Sequence, residues 1–388
     1  MIKYSLGIDI SMKEFYACLS VMDLSQNIKI KASRKFINSA AGFKELVVWI
    51  NKHYKQKEIP LQIVMEATGV YYEQCAMHLF KQGFTVAVVL PNKAKKYFQA
   101  TGLKSKNDKI DARGLAQMGA EKKLETWQPM DDYYYKLRSL TRHHESLQNL
   151  KTNLKNQLHA DNAGIYSNKE VSKQLNKLID TIDKQTGAIE QSIEEHIASD
   201  ETVNQKVNGI IKMKGIGMMT LATLLAETNG FLLFKNIPQL VSYSGYDVVE
   251  NQSGKHIGKT KISKKGNAHI RRILHMGAFN VVHYQVTPFV QLFERTLQRH
   301  NIKMKSYVAV QKKILIVVYS LWKNNQAFTE KPYKNNTTRD EELVHPSRLS
   351  FEKTVLTAQK NSPENNQGYT RCTTVEVSPF APSRLLQN

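Results

Sequence analysis

Four carboxylates and one serine carry the chemistry this sequence can do. Asp9, in "LGID", interrupts an apolar run, and Glu66 closes another, "LQIVME". A buried carboxylate without a counter-charge is costly, so neither position is neutral ground for an acid. Asp108 and Asp111, in "KNDKIDARGLA", fall three residues apart where a helical pattern begins, which puts both on one face of one turn. Four carboxylates gathered together repel one another and persist where divalent cations neutralise them. Mg²⁺ takes oxygen ligands, and two such ions about 4 Å apart form a clamp for in-line attack at a phosphodiester. Lys104, Lys106, Lys109 and Arg113 crowd the helical pair, where a phosphate backbone would lie. Taken singly the acids have plainer explanations: Asp108 as a helix N-cap with Asp111 beside the positive end of the dipole, and Asp9 as a polar residue of an edge strand.

The serine lies in "NQSGKHIGKTKISKKGNAHIRRIL", at position 253. No acidic residue occurs from Asn251 to Phe293, while Lys255, Lys259, Lys261, Lys264, Lys265, Arg271 and Arg272 cluster together. A solvated basic face is the plain reading of such a run. Gly254, Gly258 and Gly266 interrupt it and suggest loops that hug a backbone. A serine becomes a nucleophile when its proton is removed or the leaving charge is stabilised, and Lys255 and His256 stand beside this one. On spacing alone Ser242, Ser244, Tyr243 and Tyr246 are nearly as eligible. Upstream, "KMKGIGMMT" places Gly215 and Gly217 between two helical patterns, either as a helix-hairpin-helix that brings N–H groups to a DNA phosphate or as a packing element.

These residues need elements to hold them. Segments 4–11, 15–23 and 28–38 alternate as short strands. Ser39 then caps a helix over 39–55, 61–67 is a strand, 70–82 is helical, and 84–91 is a fifth strand ended by Pro91. Two helices with a basic loop between them follow. The pattern predicts an α/β domain with a mixed sheet, in which the acids converge if the fourth strand lies beside the first. Residues 131–206 repeat Leu and Ile at helical intervals, as a coiled coil or antiparallel hairpin serving as spacer or dimerisation arm. Residues 207–325 are apolar, basic and mainly helical, with "YVAVQKKILIVVYSLW" as a buried helix. Beyond about 330 the chain turns polar and reads as disordered.

The 388 residues carry 55 Lys and Arg against 34 Asp and Glu, a formal net charge of +21, which suits a polyanionic partner. No signal peptide, lipidation motif or long uncharged apolar run argues for a membrane. Three scattered cysteines, Cys18, Cys75 and Cys372, indicate neither a disulfide framework nor a zinc site, which fits a reducing cytoplasm.

A strand-borne Asp, a strand-end Glu and a helical D-x-x-D after this run of elements resemble the RuvC-like branch of the ribonuclease-H fold. "GIDIS" also resembles the first phosphate motif of the actin and sugar-kinase fold, but no later glycine-rich phosphate loop accompanies it. Together with the G-I-G hairpin and "YSGYDVVENQSGKHIGKTKISKKGNAHIRRIL", these motifs resemble the DEDD transposases of the insertion sequence one-ten family over about residues 4–325. The resemblance implies a RuvC-like DEDD domain (1–130), a coiled-coil arm (131–206), a mainly α-helical transposase domain with a helix-hairpin-helix element and a catalytic serine (207–328), and a tail (329–388). It implies a Mg²⁺-dependent DNA recombinase with Asp9, Glu66, Asp108 and Asp111 as metal ligands and Ser253 as the residue linked to DNA. Donor and target DNA, a guide RNA, and a dimer or tetramer are the implied partners, in a prokaryotic cytoplasm at the nucleoid. Where the family more often has "AGLxPxxxxSG", this chain has "SGYDVVENQSG", with Asp247 in place of the proline-bearing stretch. Two other classes remain open: a RuvC-like junction nuclease that leaves free ends, and a basic nucleic-acid-binding protein without chemistry.

Overall fold

The computed structural model describes residues 1–102, 107–254, 256–258 and 260–330. Lys104, Lys106, Lys255, Lys259 and the tail from 331 onward lie outside the described residues.

The first three strands form an antiparallel meander: β1 (Lys3–Ile10), β2 (Glu14–Met22) and β3 (Ile28–Ile37). β3 alternates charged residues on an exposed edge, where lysines discourage pairing with another chain. Ser39 caps α1 (Ala40–His53), its hydroxyl accepting from the Gly42 amide at 3.3 Å. β4 (Leu61–Glu66) then pairs parallel to β1, α2 (Glu73–Lys81) follows, and β5 (Thr85–Val89) completes the sheet in the order β3-β2-β1-β4-β5. The fourth strand therefore does lie beside the first. α3 (Pro91–Ala100) starts on Pro91, whose missing N–H costs nothing at a first helical position, and α4 (Asp108–Glu121) follows.

The sheet is covered on both faces, so β1 and β4 are apolar on both. Leu6, Ile8, Ile63 and Met65 pack with Leu46 and Ile50 of α1 and Leu79 of α2. On the other face Val64, Ala87 and Val89 meet Leu115 and Met118 of α4. α4 buries Ala112, Gly114, Ala116, Gly119 and Ala120, a small-residue surface that lets its backbone approach the sheet closely.

α5 (Asp132–Ala163) and α6 (Lys169–Ala198) form an antiparallel hairpin: Lys151 pairs with Asp183, His144 with Glu190 at 2.9 Å, and the Tyr133 ring stacks on His196. The junction expected at 206/207 lies inside α7 (Glu201–Ile211). α8 (Met218–Thr228) and α9 (Ile237–Tyr243) come next. Four two-residue strands follow, β6 (Val248–Val249), β7 (Gln252–Ser253), β8 (His256–Ile257) and β9 (Lys261–Ile262). α10 (Ala268–His283), α11 (Thr287–His300) and α12 (Lys303–Lys323) close the chain's described part. These helices share a second core that includes Val207, Leu221, Leu225, Phe231, Leu274, Phe289, Ile314 and Trp322. Among the described residues no helix is long and apolar enough to cross a membrane.

Candidate active site

The carboxylate edge follows from register. In the parallel pair, Ile8 stands opposite Met65, so Asp9 and Glu66 leave adjacent strands side by side. A Cβ placed on Gly7 would meet Ala112 and Ala116 of α4, and one on Gly119 would meet Ser5 and Val64. α4 thus runs antiparallel to β1, with its first turn over the end of the strand that carries Asp9. Alternation places Ser5, Gly7 and Asp9 on the face that α4 covers, and Val64 and Glu66 with them. Asp108 and Asp111 lie in that first turn. The N-cap is Asn107, not Asp108: its side chain accepts from the Ile110 amide at 2.9 Å. Asp108 is left exposed in the first helical position.

Basic groups border the edge. Lys35 of β3 binds Glu14 at 2.5 Å and feels the charge of Asp108. Cys18, opposite Gly7, has its thiol pushed up to about 11 by burial, with Arg113 and Lys109 pulling the other way, which places both cations beside this face. The donor set is carboxylate oxygen throughout and suits a hard divalent cation. Among the described residues, however, no three His, Cys, Asp or Glu side chains group closely enough to hold one ion. The four acids share an edge and a face, and only in that sense are they brought together.

Ser253 stands elsewhere, on an exposed ribbon. β6 pairs antiparallel with β9, and further out β7 pairs with β8, so Ser253 lies opposite His256 beside the Gly254 turn. Three of the four rival hydroxyls are occupied or hidden. Ser244 is fully buried, Tyr246 is 1% exposed and donates to Gln311 Oε1 at 3.0 Å, and the Tyr243 hydroxyl donates to the Glu227 carbonyl at 3.0 Å. Ser242 is exposed on α9.

Of the glycines predicted to hug a nucleic-acid backbone, Gly215, Gly258 and Gly266 sit where the chain approaches itself, and Gly254 has open space around it. A Cβ on Gly258 would press on Asn251, one on Gly266 would strike Gly245 and Tyr243, and one on Gly215 would strike Asn280 and Val281 of α10. Gly217, the N-cap of α8, has open space around it. Lys109, Arg113, Lys261, Lys264 and Lys265 are exposed. Arg271 and Arg272 also bond within the protein: Arg271 donates to the carbonyls of Ser244 (2.9 Å) and Asn267 (3.1 Å), and Arg272, which is exposed, pairs with Glu145 at 2.6 Å.

Sequence reasoning missed Glu227. Its side chain is 1% exposed and receives the Arg142 guanidinium through two bonds, 2.7 and 3.0 Å. Burial alone would raise its carboxyl, but hydrogen bonds from Arg142 and Asn267 and the charges of Arg142 and His269 outweigh burial and hold it below its usual value. An ion pair across 85 positions leaves no local signal. The one legible mark was Asn267 ahead of a helical run, an N-cap signature.

Two family models match this chain in order. One, described as Transposase and built on the DEDD transposases of IS110, matches residues 6–161; the other, described as Transposase IS116/IS110/IS902 family, matches residues 208–293. Between them they span more than half of the sequence.

The chain belongs to the IS110 family of DEDD transposases.

The transposase is similar over most of its length to two curated proteins, the pilin gene-inverting proteins of Moraxella bovis and Moraxella lacunata. Each is 28% identical over 332 residues, 85% of this chain and 99% of the relative. The family models make the protein a DNA transposase. Among solved structures, T. thermophilus RuvC in complex with Holliday junction substrate covers 30% of the transposase and 92% of its own chain at 10% identity and a TM-score of 0.24. A second structure, Thermus thermophilus RuvC, has a TM-score of 0.25 at 11% identity, covering 32% of the transposase and 99% of its own chain. Scores this low add nothing to the argument.

Proposed function

We propose that this transposase is a serine recombinase, in which Ser253 attacks DNA and the DEDD edge binds Mg²⁺. The carrying observation is the position and accessibility of Ser253: it is exposed beside the turn of the ribbon, whereas Ser244 and Tyr246 are buried, Tyr243 is already bonded, and Ser242, though exposed, lies on α9 away from the ribbon tip. In the proposed step the Ser253 Oγ forms a bond to phosphorus while the bond from phosphorus to one sugar oxygen breaks, and the serine proton passes to that oxygen. A sugar hydroxyl of the incoming strand then attacks the phosphoserine, restoring the phosphodiester and the serine. The bond count is unchanged, so no external energy source is needed.

Asp9, Glu66, Asp108 and Asp111 would hold the cation, whose charge offsets that of the phosphate. Lys109, Arg113, Lys261, Lys264 and Lys265, with Lys104, Lys106, Lys255 and Lys259, would line the DNA path, and Gly217 leaves an α8 N-terminus open to a phosphate. Arg272 is exposed but paired with Glu145, and Arg271 and Gly215 lie against the protein's own backbone, so the DNA path is assigned to the lysines and Arg113 rather than to those three. The net charge of +21 supports a guide RNA together with donor and target DNA, since base pairing would supply the sequence specificity that backbone contacts lack. The domain plan 1–130, 131–206, 207–328 and 329–388, with the helical hairpin as a coiled-coil arm of a dimer or tetramer, belongs to the same reading. So does a site of action at the nucleoid in a prokaryotic cytoplasm. Inversion of a gene, as the Moraxella relatives are named for, also needs strands rejoined, which favours recombination over plain cleavage.

The test is a denaturing gel of the full chain incubated with Mg²⁺, its co-purified RNA and a labelled plasmid carrying its own coding region and native flanks. A protein-linked DNA band that disappears in Ser253→Ala is expected. Cleavage to free ends with no adduct in either protein would instead support a junction nuclease, and binding without cleavage a protein that merely holds nucleic acid.

A further inference from the structure

The ribbon that carries Ser253 is rooted between the end of α9 and the start of α10. Its neck is closed by main-chain bonds from Gly258 to Asn251 (2.8 Å), Ser263 to Asp247 (2.8 Å), Lys264 to Gly245 (3.1 Å) and Asn267 to Tyr243 (2.7 Å). Gly245, at φ +73°, and Gly266 meet where a Cβ on either would collide with the opposite strand or with Arg271.

That neck is bonded on one side to α5. Tyr135, Arg138, Arg142 and Glu145 are spaced 3, 4 and 3 residues apart, which puts them on one face of the helix. At one end of the face the Tyr135 hydroxyl donates to Glu73 Oε2 at 2.8 Å and Arg138 approaches Glu73 Oε1 at 3.7 Å. Glu73 opens the helix that follows the Glu66 loop. Tyr72, in that same loop, is raised first by burial and then by Glu73, Tyr135 and Tyr243, with Arg138 opposing, so it stands near Tyr243 as well. At the other end, Arg142 grips Glu227, which accepts from Asn267 Nδ2 at 2.6 Å, and Glu145 receives His269 (2.7 Å) and Arg272 (2.6 Å). Asn267 is the N-cap of α10, and His269 and Arg272 lie within its first five residues. One helical face therefore touches both the domain with the DEDD edge and the root of the ribbon.

We propose that this face of α5 is the strut that sets the serine ribbon for strand exchange, with Arg142, Glu227 and Asn267 as its positioning residues. The inference rests on the reading of Ser253 as the nucleophile. None of the three touches the ribbon tip, so they act through the neck. Glu227 is buried, and a carboxylate there is retained against the cost of desolvation because it joins three elements, α5, α8 and α10.

The test separates positioning from folding. Asn267→Ser keeps a side-chain oxygen to cap α10 but cannot reach Glu227, and Arg142→Lys keeps the charge but loses the two-pronged grip. In the full-length chain each is expected to speed hydrogen exchange at the amides of Ser263, Lys264 and Asn267 by roughly 10-fold while the sheet amides of β1 and β4 keep their protection. In a bacterial host carrying the coding region with its native flanks, each is expected to lower joined product by about 10²-fold, with DNA binding unchanged. Neck exchange that stays at the wild-type rate in both variants would overturn the proposal, and so would faster exchange with undiminished product. Recombination that survives in Ser253→Ala would remove the nucleophile reading and the strut's purpose with it. That failure is recognisable because Ser253→Ala leaves the exchange of the neck untouched.

Discussion

Gly7 lies directly against Ala112 where α4 crosses the carboxylate edge of the sheet: a Cβ on Gly7 would sit 2.1 Å from the Ala112 carbonyl oxygen and 2.2 Å from the Ala116 amide nitrogen. Both obstacles are backbone, so no rotamer change can relieve them. Gly7→Ala must push α4 off β1, and with it the turn bearing Asp108 and Asp111. We expect a loss of stability of about 3 kcal/mol, measured by denaturant unfolding, together with loss of cleavage.

Both halves of the proposed chemistry should fail on a single substitution. Asp111→Asn and Ser253→Ala are each expected to abolish recombination, by roughly 10³-fold or more, without changing the denaturation midpoint. Added chelator should reproduce the Asp111→Asn phenotype in wild-type protein. Normal recombination by either variant, scored by junction-spanning amplification, would remove that residue from the site.

Much of the N-terminal domain was legible because its signals are local. Alternation marks the strands, Ser39 announces α1, and Pro91 stops β5 and starts α3. The adjacency of β1 and β4 could be stated only as a condition, since pairing across some 55 residues leaves no mark on either strand; the parallel register supplies it. The N-cap was misplaced by one residue because Asn107 and Asp108 are equally good caps, and only backbone conformation separates them. In the C-terminal half, charge density suggested nucleic-acid contact for Arg271 and Arg272. Their partners within the protein include the Ser244 carbonyl and Glu145, 27 or more positions away and beyond what composition can see.

The Glu227 network carries a pH signature. Its carboxyl is held below the ordinary value of 4.5, so it contributes stability that is complete above that value and is lost as pH falls through the lower, folded one. Glu227→Gln should therefore destabilise the protein at pH 7, and the gap between variant and wild type should narrow below about pH 4.5. Thermal melts across this range test the sign. A gap that widens on acidification would mean that Arg142 and Asn267 do not stabilise the charged form.

The described cysteines should be silent to thiol reagents. Burial pushes Cys75 up to about 12 and Cys18 up to about 11, so at pH 8 almost no thiolate is present and neither sulfur is accessible. Native protein is expected to label at neither residue, each reacting only in denaturant. Rapid labelling of Cys18 alone would show that α4 lifts from β1 in the native state, since Ala112 and Ala116 are what cover it.

Salt dependence separates the cations on the DNA path from those built into the fold. Lys109, Arg113, Lys261, Lys264 and Lys265 are exposed, whereas Arg271 and Arg272 hold Ser244 and Glu145. Each cation that meets a phosphate releases counterions, so its replacement by alanine should lower the slope of log affinity against log salt by about 0.9 for duplex DNA. We expect that reduction for Lys261→Ala and Lys109→Ala. Arg272→Ala should leave the slope unchanged and lower stability instead, because Glu145 loses one of its two partners. A reduced slope for Arg272→Ala would mean that the Glu145 pair opens when DNA binds.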